Sequence, residues 1–162
     1  MRHPMTSMLR VVGHYQWASA ISRSLVGLDR RLQRATSGRL ALWGHTLQPL
    51  LLTSTGHRTG QARVTPLVYV DDGQDLIIVG SNYGRPHHPH WSSNLLAAPL
   101  ARVQIRGRSM PVHAELVTDP VERARLWKLM VGLWPAYDSY AHRTERTIRV
   151  FRLRPLLESH AS

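Results

Sequence analysis

The sequence predicts a mainly β domain with helices (α+β): six antiparallel strands in a small closed or split barrel, preceded by an N-terminal amphipathic helix. Three observations carry this. From Pro49 onward the apolar pattern shortens from helical spacing to strand-length runs. Those runs are joined by tight, glycine-bearing turns, which make neighbouring strands antiparallel. No strand–helix–strand crossover opens with a glycine fingerprint, which disfavours a parallel nucleotide-binding sheet.

In chain order, the first element is the helix. Ile21, Leu25, Leu28, Leu32 and Ala35 recur at helical spacing within residues 17–36, with Arg23, Arg30 and Arg34 on the opposite side. This helix either packs on the domain with a solvated basic face or lies on an anionic membrane surface. Residues 1–48 therefore form an N-terminal extension and residues 49–162 the barrel domain. Leu50 to Thr53 reads as a buried strand ending at Thr55-Gly56, and Gln61 to Val70 as one continuous second strand. Asp71 to Asp75 is a hairpin turn around Gly73, leading into a third strand from Leu76 to Gly80. Trp91, Leu95 and Ala98 mark a short helix stopped by Pro99. Arg102–Ile105 and Ser109–Leu116 flank Arg106-Gly107-Arg108 as a further hairpin. Asp119-Pro120 caps a helix in which Ala124, Trp127, Met130/Val131 and Trp134 share a face. Pro135 breaks it, a short tyrosine-bearing helix follows, and Ile148–Leu153 is the last strand.

Composition narrows the function. A chain of 162 residues with 43% apolar and 19% charged side chains is an ordinary globular domain. With no cysteine, disulfides, thiolate metal sites and thiol nucleophiles are excluded. Twenty-one lysines and arginines, Lys128 being the single lysine, face ten carboxylates and leave a net charge of +11. Such an excess draws a polyanion, whether nucleic acid, anionic lipid or a charged small ligand. No secretory signal is visible, since the early apolar stretch Leu9–Val12 is interrupted by Arg10. The expected compartment is the cytoplasm.

Three segments could carry chemistry. Thr55 to Arg63 joins two strands with Gly56 and Gly60, hydroxyls at Thr55 and Thr59, and guanidiniums at Arg58 and Arg63. It is either an anion nest of inward-turned amides with forked guanidinium contacts or a basic hairpin turn. Val79-Gly80-Ser81-Asn82-Tyr83-Gly84 leaves the third strand through small residues, which suits close approach of a planar ligand or a bulge. His87-His88-Pro89-His90 is a poor chelator because Pro89 and the adjacency of the first two oppose shared ligation, so no metal is expected. Trp91 and Asn94 offer an apolar plate beside an amide, or a core tryptophan. Tyr137 and Tyr140 fall on one helical face, as hydrogen-bond donors to a developing oxyanion or as ordinary half-buried phenols.

Together these segments resemble the deazaflavin-dependent nitroreductase family of actinobacteria, split-barrel enzymes that use coenzyme F420. The resemblance spans about residues 49–154 and rests on three motifs in order: Leu51 through Leu67; Ser81-Asn82 with His88-Pro89-His90-Trp91 and Asn94-Leu95; and Trp134-Pro135-Ala136-Tyr137 with Tyr140 and Arg143-Thr144. It implies a six-stranded split barrel with a reduced deazaflavin lying in a groove. Arg58 and Arg63, with His57, Thr59, Gly60 and Pro66, would hold the phosphodiester side. Val79, Gly80 and Ser81 would line the ring through backbone, and Asn82, His90, Trp91 and Asn94 would complete the wall. Val68, Trp134, Tyr137 and Tyr140 would face the substrate, with Ser81 and the two tyrosines catalytic. The cofactor's phosphodiester and glutamate tail give the positive charge a partner. His57 stands where the family usually has Arg or Lys, Asn82 replaces a frequently basic position, Val68 stands where some members carry an aromatic, and Trp134 can stand for a tyrosine.

The expected activity is transfer of hydride from reduced F420 to a planar apolar acceptor, namely a quinone, enone or nitroaromatic. The rivals are an FMN- or haem-binding barrel and a non-catalytic carrier of lipid or isoprenoid. A nucleic-acid partner is not expected, because the basic residues are dispersed rather than interleaved with stacking aromatics. Monomer and homodimer both remain open.

Overall fold

The computed structural model describes residues 49–156. The N-terminal helix expected over residues 17–36, and the extension ending at residue 48, lie outside the described residues. Seven strands form one sheet in the order β2-β1-β5-β6-β7-β4-β3, every pairing antiparallel. They are β1 (Leu50–Thr55), β2 (Ala62–Leu67), β3 (Val70–Asp72), β4 (Asp75–Val79), β5 (Leu100–Ile105), β6 (Arg108–Leu116) and β7 (Val150–Pro155). Three helices accompany them: α1 (His90–Ala97), α2 (Pro120–Leu133) and α3 (Ala136–His142).

The strand count corrects the expected six. The run from Gln61 to Val70 is not one strand, because it divides at Val68-Tyr69. Its first part pairs with β1 and its second with β4, so the two pieces lie on opposite edges of the sheet. Laid flat, seven strands at about 4.8 Å spacing would hold those edges roughly 29 Å apart. Three Cα steps from Leu67 to Val70 reach at most about 11 Å. The sheet must therefore roll until its edges approach, and it closes without hydrogen bonds between β2 and β3, leaving a seam. That is a split barrel. Pro66, which has no N–H to give, is tolerated because β2 is an edge strand.

Turn chemistry sets the registers. Gly73 (φ 67) and Gln74 close the β3–β4 hairpin in two residues, Asp72 lying opposite Asp75. Arg106 (φ 49) and Gly107 (φ 79) close β5–β6 with Ile105 opposite Arg108, the pattern that matches strand twist best.

Two cores flank the sheet. Leu50, Leu52, Leu76, Ile78, Val103, Phe151 and Leu153 join Trp91 and Leu95 of α1 in one cluster. Ile77, Val79 and Val150 join Leu126 and Met130 of α2 and Tyr137 of α3 in the other. β4 thus sends alternate side chains into both, which is why Leu76–Val79 is an unbroken apolar run instead of an alternating one. Asp119 caps α2 as expected, its carboxylate accepting from Glu122 N–H at 2.8 Å. The buried face of α2 differs from expectation: Ala124 is exposed and Leu126 fully buried, because the helix turns Leu126, Met130 and the half-buried Trp127 toward β4 and β7.

A belt of opposite charges ties α2 to the edge of the sheet. Arg125 forks onto Asp72 at 2.9 and 2.7 Å and also grips Glu122. Arg152 hydrogen-bonds Glu122 and places Nε 3.3 Å from Asp75. The guanidinium of Arg125 is the main reason the Asp72 carboxyl sits below its ordinary range and that of Glu122 falls to about 2.

Candidate functional site

The β1–β2 turn is built by its glycines. Gly56 N–H donates to Gln61 O at 2.7 Å, and Gly60 (φ 67) and Thr59 return their N–H groups to Gly56 O at 2.7 and 3.2 Å. A Cβ on Gly56 would stand 2.7 Å from Thr59 Oγ1, so this position has no room for a side chain. Gln61 N–H is taken by Thr59 Oγ1 and His57 N–H by Asn94 Oδ1. This corrects the anion-nest reading. The turn consumes its own amides, and among the described residues only the Arg58 N–H of these is left without an acceptor. Any grip on an anion falls to the guanidiniums. Arg58 is exposed and without a partner among the described residues, whereas Arg63 donates only to Gln61 Oε1 at 3.1 Å. An uncommitted guanidinium on a turn anchored at its base fits a phosphodiester.

The anchor is a buried polar strut. Asn94 is 4% exposed; its Nδ2 donates to Ser54 Oγ at 3.2 Å, and its Oδ1 also receives His57 Nδ1 at 2.8 Å. With the amide so oriented, the proton of His57 lies on Nδ1 and ties the ring to α1. His57 is thus a link between turn and helix as much as a stand-in for a basic side chain. On the same helix His90 is exposed, while Trp91 is 6% exposed and tilts against Phe151 at 5.7 Å. Trp91 supports the wall from inside the first core and presents no open plate.

The loop leaving β4 takes an uncommon course. Val79 is buried, and Gly80 N–H donates to Arg149 O at 2.8 Å. Ser81 is right-handed, after which Asn82 (φ 45), Tyr83 (φ 56) and Gly84 (φ 74) are left-handed in succession. Such a run costs about 1–2 kcal/mol per non-glycine residue and needs support. Asn82 Nδ2 supplies some by donating to His87 O at 2.9 Å. More comes from packing on α3, where Gly84 lies beneath the Tyr140 carbonyl and Arg143.

An aromatic series runs outward from there. Trp127 and Tyr137 centroids are 6.2 Å apart, Tyr137 and Tyr140 6.2 Å at 82°, and Tyr140 and Tyr83 5.8 Å at 75°. Edge-to-face contacts of this kind are favourable. Tyr137 is buried and Tyr83 is 69% exposed. Burial, with Tyr140 and Tyr83 as lesser causes, pushes the Tyr137 phenol well above its ordinary range. Its hydroxyl has no hydrogen-bond partner among the described residues, yet is not sealed from solvent. Trp134 and Val68 are half-buried, the first at the end of α2 and the second at the crossing between β2 and β3.

The structure therefore assembles two groups: turn 56–61 with Asn94, and loop 80–84 with Tyr137 and Tyr140. It adds three residues that sequence reasoning passed over. Tyr83 sat inside the quoted loop as an aromatic flanked by Asn and Gly. Arg146 lies in a stretch with no periodicity and Arg149 in the expected last strand, and only the tertiary fold shows what they hold: Arg146 the loop leaving β4, and Arg149 the hydroxyls of Ser92 and Ser93 at 3.1 and 3.4 Å. Among the described residues there is no group of three or more metal-ligating side chains and no helix long and apolar enough to cross a membrane.

Comparison with known proteins gives a consistent picture. The family model described as F420H(2)-dependent quinone reductase matches residues 26–155. An F420H(2)-dependent quinone reductase of Mycobacterium tuberculosis is 36% identical over 133 residues, covering 78% of this chain and 87% of its own. A solved F420-H2 dependent reductase (FDR-A) superposes with a TM-score of 0.61 at 34% identity, covering 66% of this chain and 94% of that one. A solved structure described as a domain-swapped dimer reaches the same TM-score of 0.61 at 31% identity, covering 83% of this chain and 99% of that one.

Proposed function

The chain belongs to the F420H(2)-dependent quinone reductase family, and from that membership we infer that coenzyme F420 is its cofactor and a planar apolar acceptor of quinone type its substrate. It is an oxidoreductase. Membership favours the deazaflavin over FMN. When bound, the reduced deazaflavin supplies the hydride, and the protein supplies binding, orientation and electrostatics.

The observation that carries the assignment of roles is the meeting of two distant segments: Tyr140 of α3 lies edge-on to Tyr83 and over Gly84 of the loop leaving β4. In this reading Arg58 and Arg63 hold the phosphodiester at the β1–β2 turn, with Thr59 and Gly60 at its tip. The backbone of Val79, Gly80 and Ser81 receives the ring. Tyr137 and Tyr140 stand over the acceptor, with Val68 and Trp134 shaping its far side. Hydride delivery leaves negative charge on the acceptor oxygen, which Ser81 Oγ and the tyrosine hydroxyls stabilise by hydrogen bonding. Because burial keeps Tyr137 neutral, it donates a hydrogen bond without surrendering its proton, and water supplies the proton.

Tyr137→Phe is expected to lower turnover by about tenfold or more while leaving cofactor affinity nearly unchanged. Stopped-flow oxidation of the reduced cofactor by menadione checks this, and an unaltered turnover number removes Tyr137 from the chemistry.

We further propose that the enzyme works in the cytoplasm, held against the inner membrane face by the basic stripe of Arg23, Arg30 and Arg34. The net charge of +11 supports this. The full chain should sediment with anionic liposomes and a chain lacking residues 1–36 should not. Equal pelleting of both ends the idea.

A further inference from the structure

Arg146 lies between α3 and β7, outside every motif of the resemblance, and reaches back about sixty residues to the loop that leaves β4. Its guanidinium donates from Nε to Arg85 O at 2.9 Å, from Nη1 to Gly80 O at 3.2 Å and from Nη2 to Ser81 O at 2.7 Å. Nη1 also meets His88 Nδ1 at 3.1 Å. One rigid fork thus brackets the left-handed run of Asn82, Tyr83 and Gly84 from both ends.

Peptide planarity gives this grip a consequence. In a trans peptide the N–H points opposite to the preceding carbonyl. With the carbonyls of Gly80 and Ser81 drawn toward Arg146, the N–H groups of Ser81 and Asn82 are turned away from it together. Neither donates to any group among the described residues. Ser81 is among the residues whose backbone is assigned to the ring, and Asn82 follows it in the wall.

We propose that Arg146 is a positioning residue for the deazaflavin. By holding the carbonyls of Gly80, Ser81 and Arg85 on one side of the loop, it presents the Ser81 and Asn82 amides together to the ring edge on the other. The inference rests on the reading that this loop receives the ring.

His88 makes the grip sensitive to pH. Its Nδ1 accepts from Arg146 only when unprotonated there. The charged groups facing it are Arg146 and Arg149, and His87 and His90 are its titratable neighbours along the chain. Desolvation first, then the two arginines, hold His88 below its ordinary 6.5. The sign follows: the neutral ring belongs to the clamped loop, so the clamp is intact above that range and loosens as pH falls through the depressed value.

The test is titration of F420 into the full chain, followed by the fluorescence and absorbance of the ring, from pH 8 to 5. Arg146→Lys keeps the charge but cannot span three carbonyls. It is expected to weaken affinity about tenfold and to change the bound-state spectrum at saturation. Arg58→Ala should weaken affinity with that spectrum unchanged. His88→Asn keeps an acceptor that does not titrate, and should abolish the loss of affinity that wild type shows at low pH. A merely structural Arg146 would lower the melting temperature and leave the saturated spectrum and the His88-dependent pH step alone. The inference is overturned if Arg146→Lys binds with wild-type affinity and spectrum, or if His88→Asn keeps the wild-type pH profile. Failure of wild type to bind F420 at any pH is a different result, and it removes the functional reading itself.

Discussion

Replacing Arg58 and Arg63 together with alanine is expected to weaken cofactor binding by about a hundredfold or more. Each guanidinium–phosphate contact is a charge-assisted hydrogen bond worth about 1.5–3 kcal/mol, and two of them reach that factor. The fold should not notice. Arg58 has no partner among the described residues, and Arg63 hydrogen-bonds only an exposed glutamine among them, so neither contributes much to stability. Calorimetry at two ionic strengths checks both the size and the origin of the effect, because a charge-driven interaction weakens with added salt. An unchanged dissociation constant would falsify the placement of the phosphodiester at this turn. The +11 charge would then need another explanation.

Gly84→Ala is expected to be the most damaging single methyl in the site. Its φ of 74 disfavours any side chain, and a Cβ would meet Tyr140 O at 2.7 Å and Arg143 Cβ at 2.9 Å. Neither neighbour can retreat cheaply, since one is helix backbone and the other the root of a side chain. Left-handed strain and overpacking together come to about 2–4 kcal/mol, which lowers the melting temperature by roughly 10 °C. Turnover should fall further than this suggests, because the methyl pushes the 82–84 loop away from Tyr140. Thermal melts and acceptor reduction measured side by side test it. If turnover at a temperature where the variant is fully folded equals wild type, the contact between loop and helix has no part in function.

What was legible in the sequence followed local chemistry. Gly73 and Arg106-Gly107 announced hairpins because few residues accept positive φ, and Asp119-Pro120 announced a helix start because cap and first turn have strict demands. The apolar run Leu76–Val79, with β-branched Ile77, Ile78 and Val79, was legible as a strand for its length and composition. The split at Val68-Tyr69 was not, because both halves are extended and only their partners differ. Ala124 was assigned to the wrong face of α2 because the helix packs on two strands across an arc that includes Leu126. Around the site, glycines and tyrosines were visible from spacing. The internal use of the turn's amides, the Asn94 strut and the Arg146 fork were invisible, since each depends on atoms brought together from far along the chain.

The place of β7 between β6 and β4 has a consequence for synthesis on the ribosome. Until residues 150–155 leave the exit tunnel, β1, β2, β5 and β6 can pair among themselves, while the β3–β4 hairpin has no sheet to join. The nascent chain therefore carries two unfinished halves with their apolar faces and strand edges uncovered, a state prone to aggregation. Strand β7 acts as the keystone, so a stop codon before residue 150 should leave an insoluble product and no partially active enzyme.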